Sequence, residues 1–222
     1  MAGVTVVSAE SVDVVTTAQI KSNLRIASND STHDTQIEIC RDASISVAKE
    51  YLQKSLMNRT LKLSLDNIPF SDSILPNQEG ITSGPFLEYR HRSVNLPFSP
   101  LVSVSSVKTF DDSDNATTFA NTKYFLDNAK QPARIVLRTG ETFPTALRVA
   151  NAIEVKYVTG YSDASSVPEP IKFALFQIIA FLYEHRGDMY EGKSALPNTA
   201  KKLLEPYVVY SGLGSSKLLQ IG

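Results

Sequence analysis

The sequence predicts an α+β fold: a small helical bundle formed by N- and C-terminal helices with an inserted antiparallel β-domain. Three observations predict it. Apolar residues recur at three- and four-residue steps before residue 58 and again after residue 161. Between them the period drops to two, as half-buried strands require. Clusters of Asp, Asn, Ser, Pro and Gly punctuate that middle section as turns do. Helices that flank a sheet in sequence meet in space to close one bundle. The expected organisation is 1–58 as the N-terminal helical part and 59–160 as the inserted β-domain. Residues 161–207 complete the bundle, and 208–222 form an extended tail.

The first helix begins at Thr16 or Thr17 as N-cap and places Ile20 and Leu24 on one side. The polar break Ser28-Asn29-Asp30-Ser31 ends it. A second helix is predicted over 34–57, where Ile37, Cys40, Ser44, Val47 and Tyr51 form a stripe that Ala48 and Leu52 widen. Asp34 and Glu38 near its start and Lys54 near its end suit the macrodipole. From Arg59, Leu61, Leu63 and Leu65 alternate with Thr60, Lys62 and Ser64. Further strands are predicted over 86–91, 101–110, 123–126, 134–138 and 152–158. Turns fall at Asp111-Asp112-Ser113-Asp114-Asn115, at Asn128 with Pro132, and at Thr139-Gly140. The Pro-, Gly-, Ser- and Asn-rich stretch 69–85 reads as a long loop. Val167-Pro168-Glu169-Pro170 starts a helix over 171–186 that is apolar nearly all round, with Gly187 as its stop. A last helix spans 198–204, ended by Pro206. The tail has no period of its own, so it is expected to order only on a partner.

Composition narrows the function classes. At 222 residues the chain can bury a real core, and 42% hydrophobic with 20% charged residues is ordinary globular usage. A net charge of -1 argues against a dominant polyanion-binding role. The single cysteine, Cys40, excludes an intramolecular disulfide and reads as a small buried thiol. No stretch reaches the roughly 18 apolar residues of a membrane span, and Met1-Ala2-Gly3-Val4 lacks a secretory pattern. The expectation is a soluble protein made in a reducing cytoplasm, with no membrane partner.

Catalytic and metal-binding motifs find no foothold. His33, His91 and His185 fall in three different elements, without the paired spacing of a metal site. The acidic run 111–115 lacks the glycine and glutamate of a calcium loop, since Ala116 and Thr122 stand there, and reads as a solvated hairpin turn. Ser46 and Lys49 match a Ser-x-x-Lys pattern whose companion motifs are missing, so they read as the polar edge of the second helix. No nucleophile elbow, Walker loop or dinucleotide turn occurs. Tyr89, Phe98, Phe110, Tyr124, Phe125, Phe143 and Tyr157 could line a carbohydrate-binding face, but their strand positions favour sheet packing. No catalytic residue, metal or cofactor is therefore expected.

One succession of motifs is more specific than any of its parts. Leu96-Pro97-Phe98-Ser99-Pro100-Leu101-Val102-Ser103-Val104-Ser105-Ser106-Val107 is followed by the acidic turn, Tyr124-Phe125-Leu126 and Arg134-Ile135-Val136-Leu137. Phe143-Pro144, Ile153 to Tyr161, Val167 to Lys172 and Tyr183-Glu184-His185-Arg186-Gly187 come next. Upstream stand Asn23-Leu24-Arg25-Ile26, Asp34 and Ile37. This order resembles the phage head–tail connector (adaptor, head-completion) proteins with a β-domain inserted in a helical bundle, over most of residues 16–207. His185 departs from a position that is often Asn or another polar residue in that family, and the 69–85 loop is longer than expected there.

The resemblance implies a structural virion protein at the neck between head and tail. It would be one subunit of a dodecameric ring under the portal protein, continuing the DNA channel toward a tail-side completion or stopper protein. DNA would pass without sequence specificity, which a near-neutral channel wall permits. A ring needs two different sticky faces on each subunit. The expected subunit or portal contacts are Ile178 and Leu182 on the apolar helix, and Val208, Val209, Tyr210, Leu213, Leu218 and Leu219 in the tail. The competing readings are a phage-borne carbohydrate- or receptor-binding module using the β-domain, and an undetected hydrolase.

Overall fold

The computed structural model describes residues 2–10, 12–66, 93–144, 146–185 and 196–209. Among the described residues, two sheets and four α-helices are built around two apolar cores. Strands β1 (Ala2–Ser8), β2 (Arg59–Leu65), β8 (Ile153–Thr159), β4 (Leu101–Phe110) and β5 (Ala116–Thr118) form an antiparallel five-stranded sheet in that order. Strands β3 (Ser93–Asn95), β7 (Arg134–Leu137) and β6 (Tyr124–Asp127) form a second, three-stranded one. Their inner faces share one core: Val4, Leu61, Leu63, Val107, Val155 and Tyr157 from the large sheet meet Val94, Tyr124, Ile135 and Leu137 from the small one. The predicted antiparallel β unit is thus a two-sheet sandwich.

The helices are α1 (Thr17–Leu24), α2 (Asp34–Leu52), α3 (Glu169–Glu184) and α4 (Asn198–Leu204). Ile20, Ile37, Cys40, Ile45, Ala48, Leu52, Ile171, Ala174, Leu175, Ile178, Ala200 and Leu204 join Val14 and Val15 in the second core. This is the predicted closure of early helices on late ones. Thr16 caps α1 with a complete capping box: its side chain accepts from the Gln19 amide, and the Gln19 side chain accepts from the Thr16 amide. The buried Lys21 ammonium pairs with Asp34 and ties α1 to the start of α2.

Three sequence expectations shift. Residues 2–8, expected as the lead-in to the N-terminal helical part, are an edge strand paired to β2. The second helix ends at Leu52 rather than at 57, because Gln53 turns left-handed at φ 53. The chain there is drawn toward the sandwich: Lys54 bridges to Ser99 and the Ser55 amide donates to the Ser99 carbonyl at 3.1 Å. Leu56 and Met57 are then buried from a connector instead of a helix. The third helix starts two residues early, with Pro170 accommodated in its first turn. The predicted strand at 86–91, the loop at 69–85 and the stop at Gly187 lie outside the described residues.

Candidate functional site

The residues expected at an interface divide sharply. Ile178 is 0% exposed and sits inside the helical core. It therefore presents no atom to a neighbouring molecule, and the expectation of a direct contact through it is corrected to that of an anchor for α3. Leu182 is half-buried and packs against the same core. Val208 does likewise, and Val209 is buried with its amide donating to the Leu52 carbonyl at 3.0 Å. The start of the tail is thus part of the folded monomer. Tyr210, Leu213, Leu218 and Leu219 lie outside the described residues.

Where the two cores meet, a buried polar cluster joins them. The Arg59 guanidinium donates through Nε to Ser55 Oγ at 2.8 Å, and Ser55 Oγ lies 2.7 Å from Thr159 Oγ1. The same guanidinium lies over the Phe98 ring, 4.9 Å from its centroid. Glu10, itself paired with Lys49 at 2.8 Å, adds attraction for Arg59. Burial nevertheless lowers the pKa of Arg59, as it does that of Lys54. Asn58 donates its amide to the Tyr161 carbonyl, and Gly160 donates to the Pro100 carbonyl at 2.9 Å. Gly160, at φ +117, is required here. A Cβ at that position would stand 2.1 Å from the Met57 carbonyl oxygen.

The chemistry-bearing residues have structural partners. The Ser46 hydroxyl donates to the Asp42 carbonyl one turn back, and Lys49 is held by Glu10. His185 donates from Nδ1 to the Phe181 carbonyl and stacks on the Phe181 ring at 4.5 Å. His33 meets Tyr183 edge-on; His91 lies outside the described residues. Asp111 accepts from the amides of Ser113 and Asn115, closing the hairpin turn, and these bonds hold its carboxyl below the usual carboxylate range. No group of three His, Cys, Asp or Glu side chains among the described residues converges as metal ligands would. A cleft of about 420 Å³ lies beside the stacked Phe119 and Phe143 rings and is walled by Thr109, Thr117, Thr118 and Lys123. Lys123, its charged group, pairs with Glu141 at 3.1 Å.

What stands out on the surface is apolar. Phe173 on α3 and Ile39 on α2 are 54% and 58% exposed. Phe125 and Leu126 are exposed on β6, an edge strand of the small sheet, and Val102 on β4. Sequence reasoning weighed Phe125 as part of a carbohydrate-binding face and did not single out Phe173, Ile39, Leu126 or Val102. A signal existed for Phe125: Tyr124, Phe125 and Leu126 are consecutive in a strand, so period two must turn the middle one away from Tyr124.

No protein-family model matches the chain, and no curated protein matches it. Solved structures do. A chain from the neck of the empty gene transfer agent (GTA) particle, computed with C6 symmetry, matches with a TM-score of 0.69 at 20% identity, over 93% of this chain and 97% of that one. A chain from the virion of the native GTA particle matches at 0.70 and 18%, over 95% and 97%. A chain from the neck of the native GTA particle, computed with C12 symmetry, matches at 0.63 and 20%, over 93% and 97%. At such identities the likeness is one of fold, and it runs the length of both chains. The bundle with an inserted sandwich is therefore an architecture shared with chains of GTA necks and virions.

Proposed function

We propose that this chain is a structural virion protein: a head–tail connector subunit that forms a ring under the portal and continues the DNA channel toward the tail. One observation carries the reading. The fold agrees with chains of GTA necks over 93% of this chain and 97% of theirs, and that agreement supports a place at the neck. The surface supports it. Apolar side chains stand exposed on the helical part, at Ile39 and Phe173, and on the small sheet, at Phe125 and Leu126. A head-to-tail ring needs two such unlike faces, whereas a two-fold dimer needs one. In this reading 12–58 and 161–209 make the bundle, residues 2–8 join 59–160 in the sandwich, and residues 210–222 reach the portal. The copy number is twelve, and the role is structural rather than catalytic.

The test is light scattering of the full chain alone and with portal protein, followed by imaging of purified particles. A portal-dependent ring, and density for this chain at the neck, are expected. A monomer that ignores portal, in particles whose neck lacks it, overturns the reading. The 420 Å³ cleft beside Phe119 and Phe143 carries the competing carbohydrate-binding reading, and saturable glycan binding lost in Phe143→Ala would favour it.

A further inference from the structure

The outer face of the five-stranded sheet carries a charge pattern that the fold does not need. Register places Thr5, Lys62, Lys156 and Ser106 in one row across β1, β2, β8 and β4. In the next row Glu154 stands beside Lys108. These side chains point away from the core, because Leu61, Leu63, Val155 and Tyr157 alternate with them and fill it. Lys62 and Lys156 are direct cross-strand partners, and like charges so placed repel. Glu154 reaches Lys62 at 3.6 Å. Lys108 and Lys156 have no ion-pair partner among the described residues. The four charged groups thus leave an excess of two positive charges on a chain whose net charge is -1.

The usual reasons for lysine in a sheet do not apply. Lysine blunts exposed edges against aggregation, yet these lysines lie on the three inner strands, while the edge strands β1 and β5 carry none. Lysine is also poorly suited to strand interiors. The pattern asks for an anion outside the molecule. An acidic protein partner would be expected to bring an apolar centre to its interface, and these rows offer it hydroxyls, ammonium groups and the Glu154 carboxylate, which Lys62 pairs, but no apolar side chain. A phosphate backbone needs just those donors.

We propose that this face, centred on Lys62, Lys108 and Lys156, meets the phosphate backbone of duplex DNA. The identity of the polyanion rests on the neck-channel reading; the face itself rests on the register. Three lysines make a weak, salt-sensitive, sequence-blind contact that lets a duplex slide.

The experiment is fluorescence anisotropy of the full chain with a labelled duplex of arbitrary sequence over a salt series. A log–log slope of about −2.7 is expected, from roughly −0.9 per lysine. Lys62→Gln, Lys108→Gln and Lys156→Gln should each lower its magnitude by about 0.9, and the triple variant should flatten it. Lys202→Gln, an exposed change on α4, should leave it unaltered. Circular dichroism should show all variants folded, since charge removal relieves the Lys62–Lys156 repulsion. A triple variant that binds like wild type, or a wild type that ignores duplex at low salt, overturns the proposal. Polyglutamate of matched charge competing as well as DNA also overturns it and points to an acidic protein. Ring formation with portal, scored on the same samples, keeps the two readings apart: rings without duplex binding sink this face alone. Duplex binding without rings sinks the neck reading.

Discussion

Ile178 and Tyr157 hold the centres of the two cores, and each makes a prediction of its own kind. Ile178→Asp puts an unpaired carboxylate where no water reaches, at a cost of about 4 kcal/mol. Urea unfolding should show that loss, and an unchanged midpoint would mean that α3 does not pack as described. Tyr157 is fully buried and donates its hydroxyl to the Pro97 carbonyl at 3.2 Å. Burial pushes its phenol well above the ordinary value of 10.0. The sign follows from linkage. Below pH 10 the phenol is neutral in both states. Above it the unfolded chain releases the proton while the folded one keeps it, so stability falls as pH rises. Tyr157→Phe should lose about 1 kcal/mol at neutral pH through the missing hydrogen bond. It should also show a shallower loss above pH 10 than wild type; parallel curves would remove Tyr157 from the alkaline transition.

Helix α1 is short, eight residues, and depends on its ends and its packing more than on propensity. Thr16→Ala removes half of its capping box and should cost about 1 kcal/mol, measured by denaturant unfolding. An effect near zero would mean that Ile20 and the Lys21–Asp34 pair hold α1 unaided. Sequence patterning and stop signals placed α4 and β4 at their observed bounds and the start of α1 at its capping Thr16. They placed the end of α2 five residues late for a physical reason. Leu56 and Met57 are as apolar as a helix face demands, but Ser99 captures the backbone at residues 54 and 55. The strand β1 was overlooked although Gly3, Val4, Thr5 and Val6 are strand-like, since its hydrogen bonds go to residues nearly sixty positions away.

For the whole molecule, the tail offers the sharpest separation of folding from assembly. Val209 is buried and bonded to Leu52, so a chain truncated after it keeps every described contact of the bundle. Removing 210–222 should leave circular dichroism and melting unchanged while weakening attachment to portal by at least tenfold, read by co-sedimentation (about 1.4 kcal/mol). Unaltered attachment would take the tail out of the mechanism. Truncation before Val208 should instead lower stability, because Val208 and Val209 pack on the helical core.

Hydrophobic period and turn chemistry were enough to read the class of fold, because both are local properties of consecutive residues. They marked two helical sections, a β unit between them, and the absence of any familiar catalytic motif. They could not tell which apolar residues face inward for good. Ile178 and Phe173 are five positions apart on one helix, yet one is sealed in the core and the other is half in water. That difference depends on where α2 and α4 lie against α3. The lysines of β2, β8 and β4 are likewise unrelated along the chain and become one charged face only when strand order makes them neighbours. Long-range pairing is set by the sum of all contacts, and no short window of sequence contains it.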